Sequence, residues 1–328
     1  MRSRFPVTNS LVAPDALGER LVAAYALPGR LDVRLYQTGF NDTYVAEADD
    51  GTTYYARVYR HGWRTREDAL CELDALDHLR RKGIAVAYPL PREDGGFLFE
   101  IDAPEGMRGA ALFVEAKGRM LEYGKEPGPT ARVYGAAVAA MHNAWDDFSS
   151  DHERFRLDLG TLIDRPLERA EPLLVHRSED LAYLKRFAAA VRTRIAEAPD
   201  LEWAFCHGDL QGFHAHQDED GTLTFYDFDC GGFGYRAYDL AVFRWSARFD
   251  DQEAAWWEPF LEAYRERRAI ADADVEAVPL FVCARHFWHM GVHAQNAPVW
   301  GHGALGDAYF DRRIGWLREL AVDYGIEV

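Results

Sequence analysis

Lysine is scarce in this chain. Of 328 residues only Lys82, Lys117, Lys125 and Lys185 are lysine, and 37 Lys and Arg together face 54 Asp and Glu, for a formal net charge of −17. Such an acid excess argues against nucleic acid or an anionic membrane surface as a partner. It suits a cationic small molecule, such as an amine-bearing sugar or nucleoside, or is simply a solvated acidic surface. Cysteine is equally rare. Cys71, Cys206, Cys230 and Cys283 lack metal-ligand spacing, so free buried thiols are expected in place of disulfides. No apolar run reaches the ~20 residues of a membrane-spanning helix, and the opening MRSRFPVTNS has no apolar targeting segment, so a cytoplasmic location is expected. Internal repeats and low-complexity tracts are also absent, and the length allows about two domains.

What is present begins with three segments of strand character, Leu31 to Thr38, Thr43 to Ala48 and Thr53 to Tyr59. They are separated by the turns GFND and DDG, the second a strong hairpin signal. Thr65 to Lys82 then reads as a helix, with Ala69, Leu73, Leu76 and Leu79 three to four residues apart, Thr65 and Asp68 as a capping pair and Gly83 as the stop. The apolar strand ALFVEA runs into Lys117 and Gly118, and a domain join is expected over Ala111 to Arg119. Beyond it the pattern becomes helical over Thr130 to Asn143, Glu179 to Ala198, Ala237 to Arg248, Gln252 to Arg268, Asp272 to Val292 and Leu305 to Ala321.

The densest chemistry lies in Phe205 to Ala241, FCHGDLQGFHAHQDEDGTLTFYDFDCGGFGYRAYDLA. Two short apolar segments each run into a loop that carries an aspartate, Asp209 after AFCHG and Asp227 after LTFY. The second segment reads as a strand over Leu223 to Tyr226, which would leave Asp227 and Asp229 on the same side of an extended stretch. A carboxylate that orients an acceptor hydroxyl and another that holds Mg²⁺ are what phosphoryl transfer asks of a protein. No Ser or Cys nucleophile elbow adjoins His207, which removes a catalytic triad from consideration.

HGDLQGFHAH, FYDFD and YDLA together resemble the catalytic core of the aminoglycoside phosphotransferase and choline kinase family. The resemblance implies an α+β, bilobal protein-kinase-like fold. It implies an N-lobe of antiparallel sheet plus helix over 1–112, a hinge at 113–118 and a mainly helical C-lobe over 119–328. It further implies an ATP-dependent phosphotransferase acting on a hydroxyl of a small molecule (an aminoglycoside-like sugar, a nucleoside or other natural product, or an amino alcohol) or of a peptide Ser or Thr. By the same resemblance Asp209 is the catalytic base, Asp227 the principal Mg²⁺ ligand and Asp239 a structural acid steadying the catalytic loop, with His207 bracing that loop. Arg57 stands where the family has a phosphate-binding Lys, paired with Glu72, and the backbone of Val114, Glu115 and Ala116 would meet adenine. Gly39 either permits its turn or brings its backbone to a phosphate.

His214 occupies the position of the family's metal-binding Asn. Magnesium prefers oxygen donors, so imidazole there implies one of three outcomes: a single metal on Asp227, a softer ion such as Mn²⁺ on His214, or nucleotide binding without transfer. The last is the alternative reading, a pseudokinase acting as a scaffold or regulatory subunit. Asp229 is a second metal-side acid, an acceptor contact or a capped carboxylate fixing the turn. In the C-terminal third, His286, His289 and His293 share one helical face. A single helix shows no fourth zinc ligand, and packed walls or an acceptor pocket, with Trp288 and Trp300, is the favoured reading. Acceptor identity, ATP against GTP and oligomeric state are not encoded in any motif.

Overall fold

The computed structural model describes residues 5–121 and 127–328; Met1 to Arg4 of the opening stretch and Lys125 lie outside the described residues. The chain forms two compact units. The first takes the residues up to Met120 together with Asp147–Arg154 and Ala215–Asp229, and the second takes the rest.

The first unit opens with helix α1 (Pro14–Tyr25), which the strand-rich pattern around it had masked. Then come β1 (Leu31–Thr38), β2 (Asp42–Ala48) and β3 (Thr53–Val58), helix α2 (Arg66–Arg81), and β4 (Phe99–Ala103) and β5 (Gly106–Val114). The five strands make one antiparallel sheet in the order β1-β2-β3-β5-β4. Alternation along β3 puts Ala56 and Val58 into a core with Leu17, Leu21, Tyr44 and Leu112, and so turns Arg57 to the opposite face. The start of α2 is the expected capping box, in which Thr65 and Asp68 each bond the other's backbone N–H. A small second sheet joins Arg119–Met120, Ala215–Gln217 and Leu223–Phe225, and Phe225 also bridges to Val86.

The second unit is mainly helical: α3 (Pro127–Ala144), α4 (Arg165–Ala170), α5 (Ser178–Glu197), α6 (Arg236–Phe249), α7 (Glu253–Arg267), α8 (Asp272–Trp300) and α9 (Asp307–Asp323). A three-stranded sheet of Arg156–Leu157, Gly232–Tyr235 and Trp203–Cys206 supports the loop after Cys206. Helices α3 and α7 approach so closely that a Cβ at Gly135 would stand 2.1 Å from the carbonyl oxygen of Phe260, so the small residues of YGAAVAA are a packing requirement. The expected end of α8 at Val292 is short. The helix continues to Trp300 through Pro298, because a proline in the last turn removes only one backbone bond and the helix stops at Gly301, with φ 96°. All four cysteines are free and buried. Among the described residues no helix is long and apolar enough to cross a membrane.

Candidate active site

In the first unit, Arg57 on β3 and Glu72 on α2 meet at 2.7 Å, and the other arm of the guanidinium reaches Oδ1 of Asp227 at 3.0 Å. Glu72 is wholly buried, and the Arg57 charge also lies 5.3 Å from the ring centre of Phe113. Burial works against the charge on Arg57, but Glu72 and then Asp227 outweigh it and hold the guanidinium charged. The carboxylate of Asp227 itself is 41% exposed.

The strand before Asp227 ends at Phe225, and Asp227 adopts φ 66°, in the left-handed region. The expected shared side for Asp227 and Asp229 is therefore corrected: the alternation of an extended strand is broken at Asp227 itself. Asp229 turns inward and is 2% exposed. Its Oδ2 accepts from the Asn41 amide and the Trp63 indole, each at 3.0 Å, while its carbonyl accepts from Arg64 and Arg154. Of its three readings, the capped carboxylate that fixes a turn is the one this geometry matches. The turn it fixes is the Gly39 to Asp42 loop, whose Asn41 also accepts the Arg60 N–H at 3.2 Å. Gly39 does not have positive φ, and a Cβ there would meet nothing nearer than the Asn41 carbonyl at 3.9 Å. Nothing within the fold requires glycine at that position. At the end of β5 the Val114 N–H donates to the Tyr88 carbonyl at 3.1 Å, and the Ala116 carbonyl lies 2.6 Å from Nδ1 of His216.

The second unit carries the loop of Asp209. Asp239, at the start of α6, accepts the backbone N–H of His207 at 2.7 Å and of Gly208 at 2.8 Å, one on each carboxylate oxygen. Gly208 has φ 76°, and a Cβ on it would stand 2.1 Å from the Cys230 carbonyl, so only glycine fits. His207 takes the Asp209 N–H on Nδ1 at 3.3 Å, which braces the loop. Behind Asp239, His142 of α3 donates Nε2–H to Oδ2 at 3.1 Å and accepts the Tyr264 hydroxyl on Nδ1 at 2.9 Å.

Asp209 is buried, with 7% exposure. Arg285 of α8 and the Gln211 amide both donate to its Oδ1, the latter at 2.7 Å. Burial pushes this carboxyl up, but Arg285, His214, Gln211 and His207 together pull it below the ordinary carboxylate range, so Asp209 is ionised at neutral pH. The Nδ1 of His214 donates to the Asp209 carbonyl at 2.7 Å. Sequence reasoning read His286, His289 and His293, with Trp288 and Trp300, as packed walls or an acceptor pocket and missed Arg285 itself. Its one visible signal was a lone cation inside the apolar run of α8.

The three histidines of α8 are packed among aromatic rings. His286 accepts the Trp245 indole N–H at 3.3 Å and lies 3.0 Å from the Arg313 carbonyl, and His289 and His293 have ring centres 4.2 Å apart. Burial, then Arg313, lowers His286 to about 3. Among the described residues no three His, Cys, Asp or Glu side chains gather as a metal-ligand set, so the helical-face metal reading gives way to packed walls.

The sequence pattern of the phosphotransferase enzyme family matches residues 32–274. An uncharacterized protein of Deinococcus radiodurans is 39% identical over 326 residues, 98% of this chain and 94% of that one. Among solved structures, an amicoumacin kinase in complex with AMP-PNP, Ca²⁺ and Ami superposes with a TM-score of 0.77 at 19% identity, covering 92% of each chain. A microcompartment-associated aminopropanol kinase gives 0.74 at 21% identity, covering 94% of this chain and 98% of that one. At these identities the two structures speak for a shared fold.

Proposed function

The chain belongs to the phosphotransferase enzyme family, and from that membership we propose that it transfers the γ-phosphoryl group of ATP to a hydroxyl of a small alcohol. The observation that carries this reading is Asp209, a buried carboxylate kept ionised on a loop that Asp239 holds by two backbone bonds. In the proposed reaction the acceptor oxygen forms a bond to the γ-phosphorus as the bond from that phosphorus to the β-bridging oxygen breaks. ADP leaves, and the hydroxyl proton passes to Asp209.

The nucleotide half rests on Arg57, held between Glu72 and Asp227, as the phosphate cation; a guanidinium binds phosphate by a planar fork where Lys offers a point charge. Gly39, which the fold does not need as glycine, is proposed to let the chain pass close to a phosphate, its own N–H being engaged by the Asn41 carbonyl at 3.0 Å. Adenine is assigned to the chain around Val114 to Ala116. With the Val114 N–H and Ala116 carbonyl engaged inside the protein, the Glu115 carbonyl and Ala116 N–H are the groups proposed to meet it.

A divalent cation fits what is present. The half-exposed Asp227 carboxylate is a hard oxygen donor of the kind that holds Mg²⁺ together with phosphates, and the ion would neutralise charge on the transferring group. His214 offers Nε2 in place of an amide oxygen, which favours Mn²⁺ at any second site.

The test is ADP release by the purified protein with Mg²⁺ or Mn²⁺ across a panel of alcohols. Amino alcohols head the panel, since the chain is acidic and an aminopropanol kinase is a structural neighbour. Acceptor-dependent turnover that disappears in Asp209→Asn and Asp227→Asn is expected. His214 at the family's Asn position favours a second reading, a nucleotide-binding pseudokinase, which requires metal-dependent ATP binding without turnover on any acceptor.

A further inference from the structure

The two oxygens of Asp209 are not equivalent. Oδ1 receives both the Gln211 amide and an Nη2–H of Arg285. Among the described residues no hydrogen bond reaches Oδ2; His214 Nδ1 stands 3.7 Å from it, and that nitrogen is already engaged by the Asp209 carbonyl at 2.7 Å. Arg285 is itself held through its two Nη nitrogens and its ring contacts, while its Nε makes no hydrogen bond. It is 1% exposed, its guanidinium lies 4.2 Å from the ring centre of Trp288 and 5.2 Å from that of Trp245, and Nη1 faces the Gly208 carbonyl at 3.3 Å and the Tyr238 hydroxyl at 3.5 Å. Trp245 is fixed in turn by its bond to His286. A chain of contacts thus runs from the Arg313 carbonyl of α9 through His286 of α8 and Trp245 of α6 to the Arg285 guanidinium.

A carboxylate rotates about its Cβ–Cγ bond with a broad, two-fold preference. Two donors on one oxygen remove that freedom. We propose that Arg285 is the positioning residue of this site: by pinning Oδ1 it leaves Oδ2 as the single oxygen that receives the acceptor hydroxyl's hydrogen bond and then its proton. The proposal rests on the phosphotransferase reading for the identity of the acceptor, and on geometry alone for the asymmetry of the carboxylate. Lysine cannot take over, because an ammonium does not reach Asp209, Gly208 and Tyr238 from one rigid plane.

The test compares Arg285→Met, which fills the space between the indoles without a donor, with Arg285→Ala and Arg285→Lys, each checked for a native melting transition. Misplacing a reacting group by an ångström lowers turnover by roughly 100-fold. The expected result is a loss of about that size in kcat with the ATP KM little changed, incomplete recovery in Arg285→Lys, and restoration of Arg285→Ala, but not of Asp209→Asn, by low-millimolar guanidinium chloride. A folded Arg285→Met with wild-type kcat, or a loss in Arg285→Ala that guanidinium does not relieve, overturns the assignment. If the wild-type protein phosphorylates no alcohol, the phosphotransferase reading fails separately. Crystal structures then decide the positioning role: the Asp209 carboxylate plane turns in Arg285→Met if the proposal holds, and stays in place if it is wrong.

Discussion

His142 and Asp239 form an imidazole–carboxylate pair 3.1 Å apart, with both side chains entirely out of solvent. The pair anchors the Asp209 loop from behind, since Asp239 has its two oxygens on the His207 and Gly208 backbone. Burial, then Arg236, lowers His142 to about 4 from 6.5, so it is a neutral ring at physiological pH.

An acid-side loss of stability follows from that ring. Between pH 6.5 and 4 the unfolded chain takes up a proton that folded His142 refuses, so its contribution is full above 6.5 and declines as pH falls toward 4. The size is about 3 kcal/mol for this one group, and His293, lowered by burial and Arg313 to about 4, acts with the same sign. Urea unfolding at pH 7, 5.5 and 4.5 should show the decline, with a flatter slope in His142→Gln. An unchanged slope in that variant would assign the effect elsewhere.

Removing the guanidinium of Arg57 strands Glu72, which is 0% exposed and keeps only a 3.4 Å bond from Tyr59 and a 4.0 Å contact with Arg154. Arg57→Ala should destabilise the protein by roughly 3 kcal/mol and weaken ATP binding at least tenfold. Arg57→Ala combined with Glu72→Gln should regain most of the stability and none of the affinity. Denaturation midpoints and calorimetric titration of ATP separate the two effects; joint recovery would show that Arg57 serves the fold alone.

Gly208→Ala meets two obstacles at once, a left-handed φ of 76° and a carbonyl oxygen 2.1 Å from the new Cβ. A loss of more than ~2 kcal/mol is expected, together with loss of turnover, because the loop must move off Asp239. Thermal melting and ADP release check this, and an active, stable Gly208→Ala protein would contradict the loop geometry.

His214→Asn puts an amide oxygen where the imidazole stands. Apparent Mg²⁺ affinity in the ATP-dependent reaction should rise by about tenfold, or ~1.4 kcal/mol, and any preference for Mn²⁺ should shrink. Metal titrations of turnover in the two proteins decide it. Identical metal profiles would remove His214 from the metal site.

Where local pattern determines structure, the sequence was readable. Three strand segments, the Thr65/Asp68 capping box and six helices lie within a few residues of their expected bounds, since alternation, helical spacing and turn residues act over short distances. Helix α1 was overlooked because its amphipathic stripe is short and precedes a strongly alternating run. Asp227 was misplaced on a straight strand because no residue type announces its left-handed φ. At the candidate site, Asp209, Asp227, Arg57 and Glu72 were picked out by the family resemblance, and the structure puts Arg57 against both Glu72 and Asp227. Arg285 was not picked out, since what ties it to Asp209 is the packing of α8 against Trp245 of α6, with Trp288 of α8 itself beside the guanidinium.

The restraints on the Asp209 loop come from far along the chain. His142 reaches Asp239 across 97 positions and Tyr264 across 122, and Arg285 reaches Asp209 across 76. Each closure carries an entropic cost that grows with the span and is recovered only when the helices have assembled. The HGD segment is therefore held by contacts that exist only once α3, α7 and α8 are in place. A polypeptide ending before Asp272 would retain every letter of that motif and lack Arg285, one of the two donors on the Asp209 carboxylate.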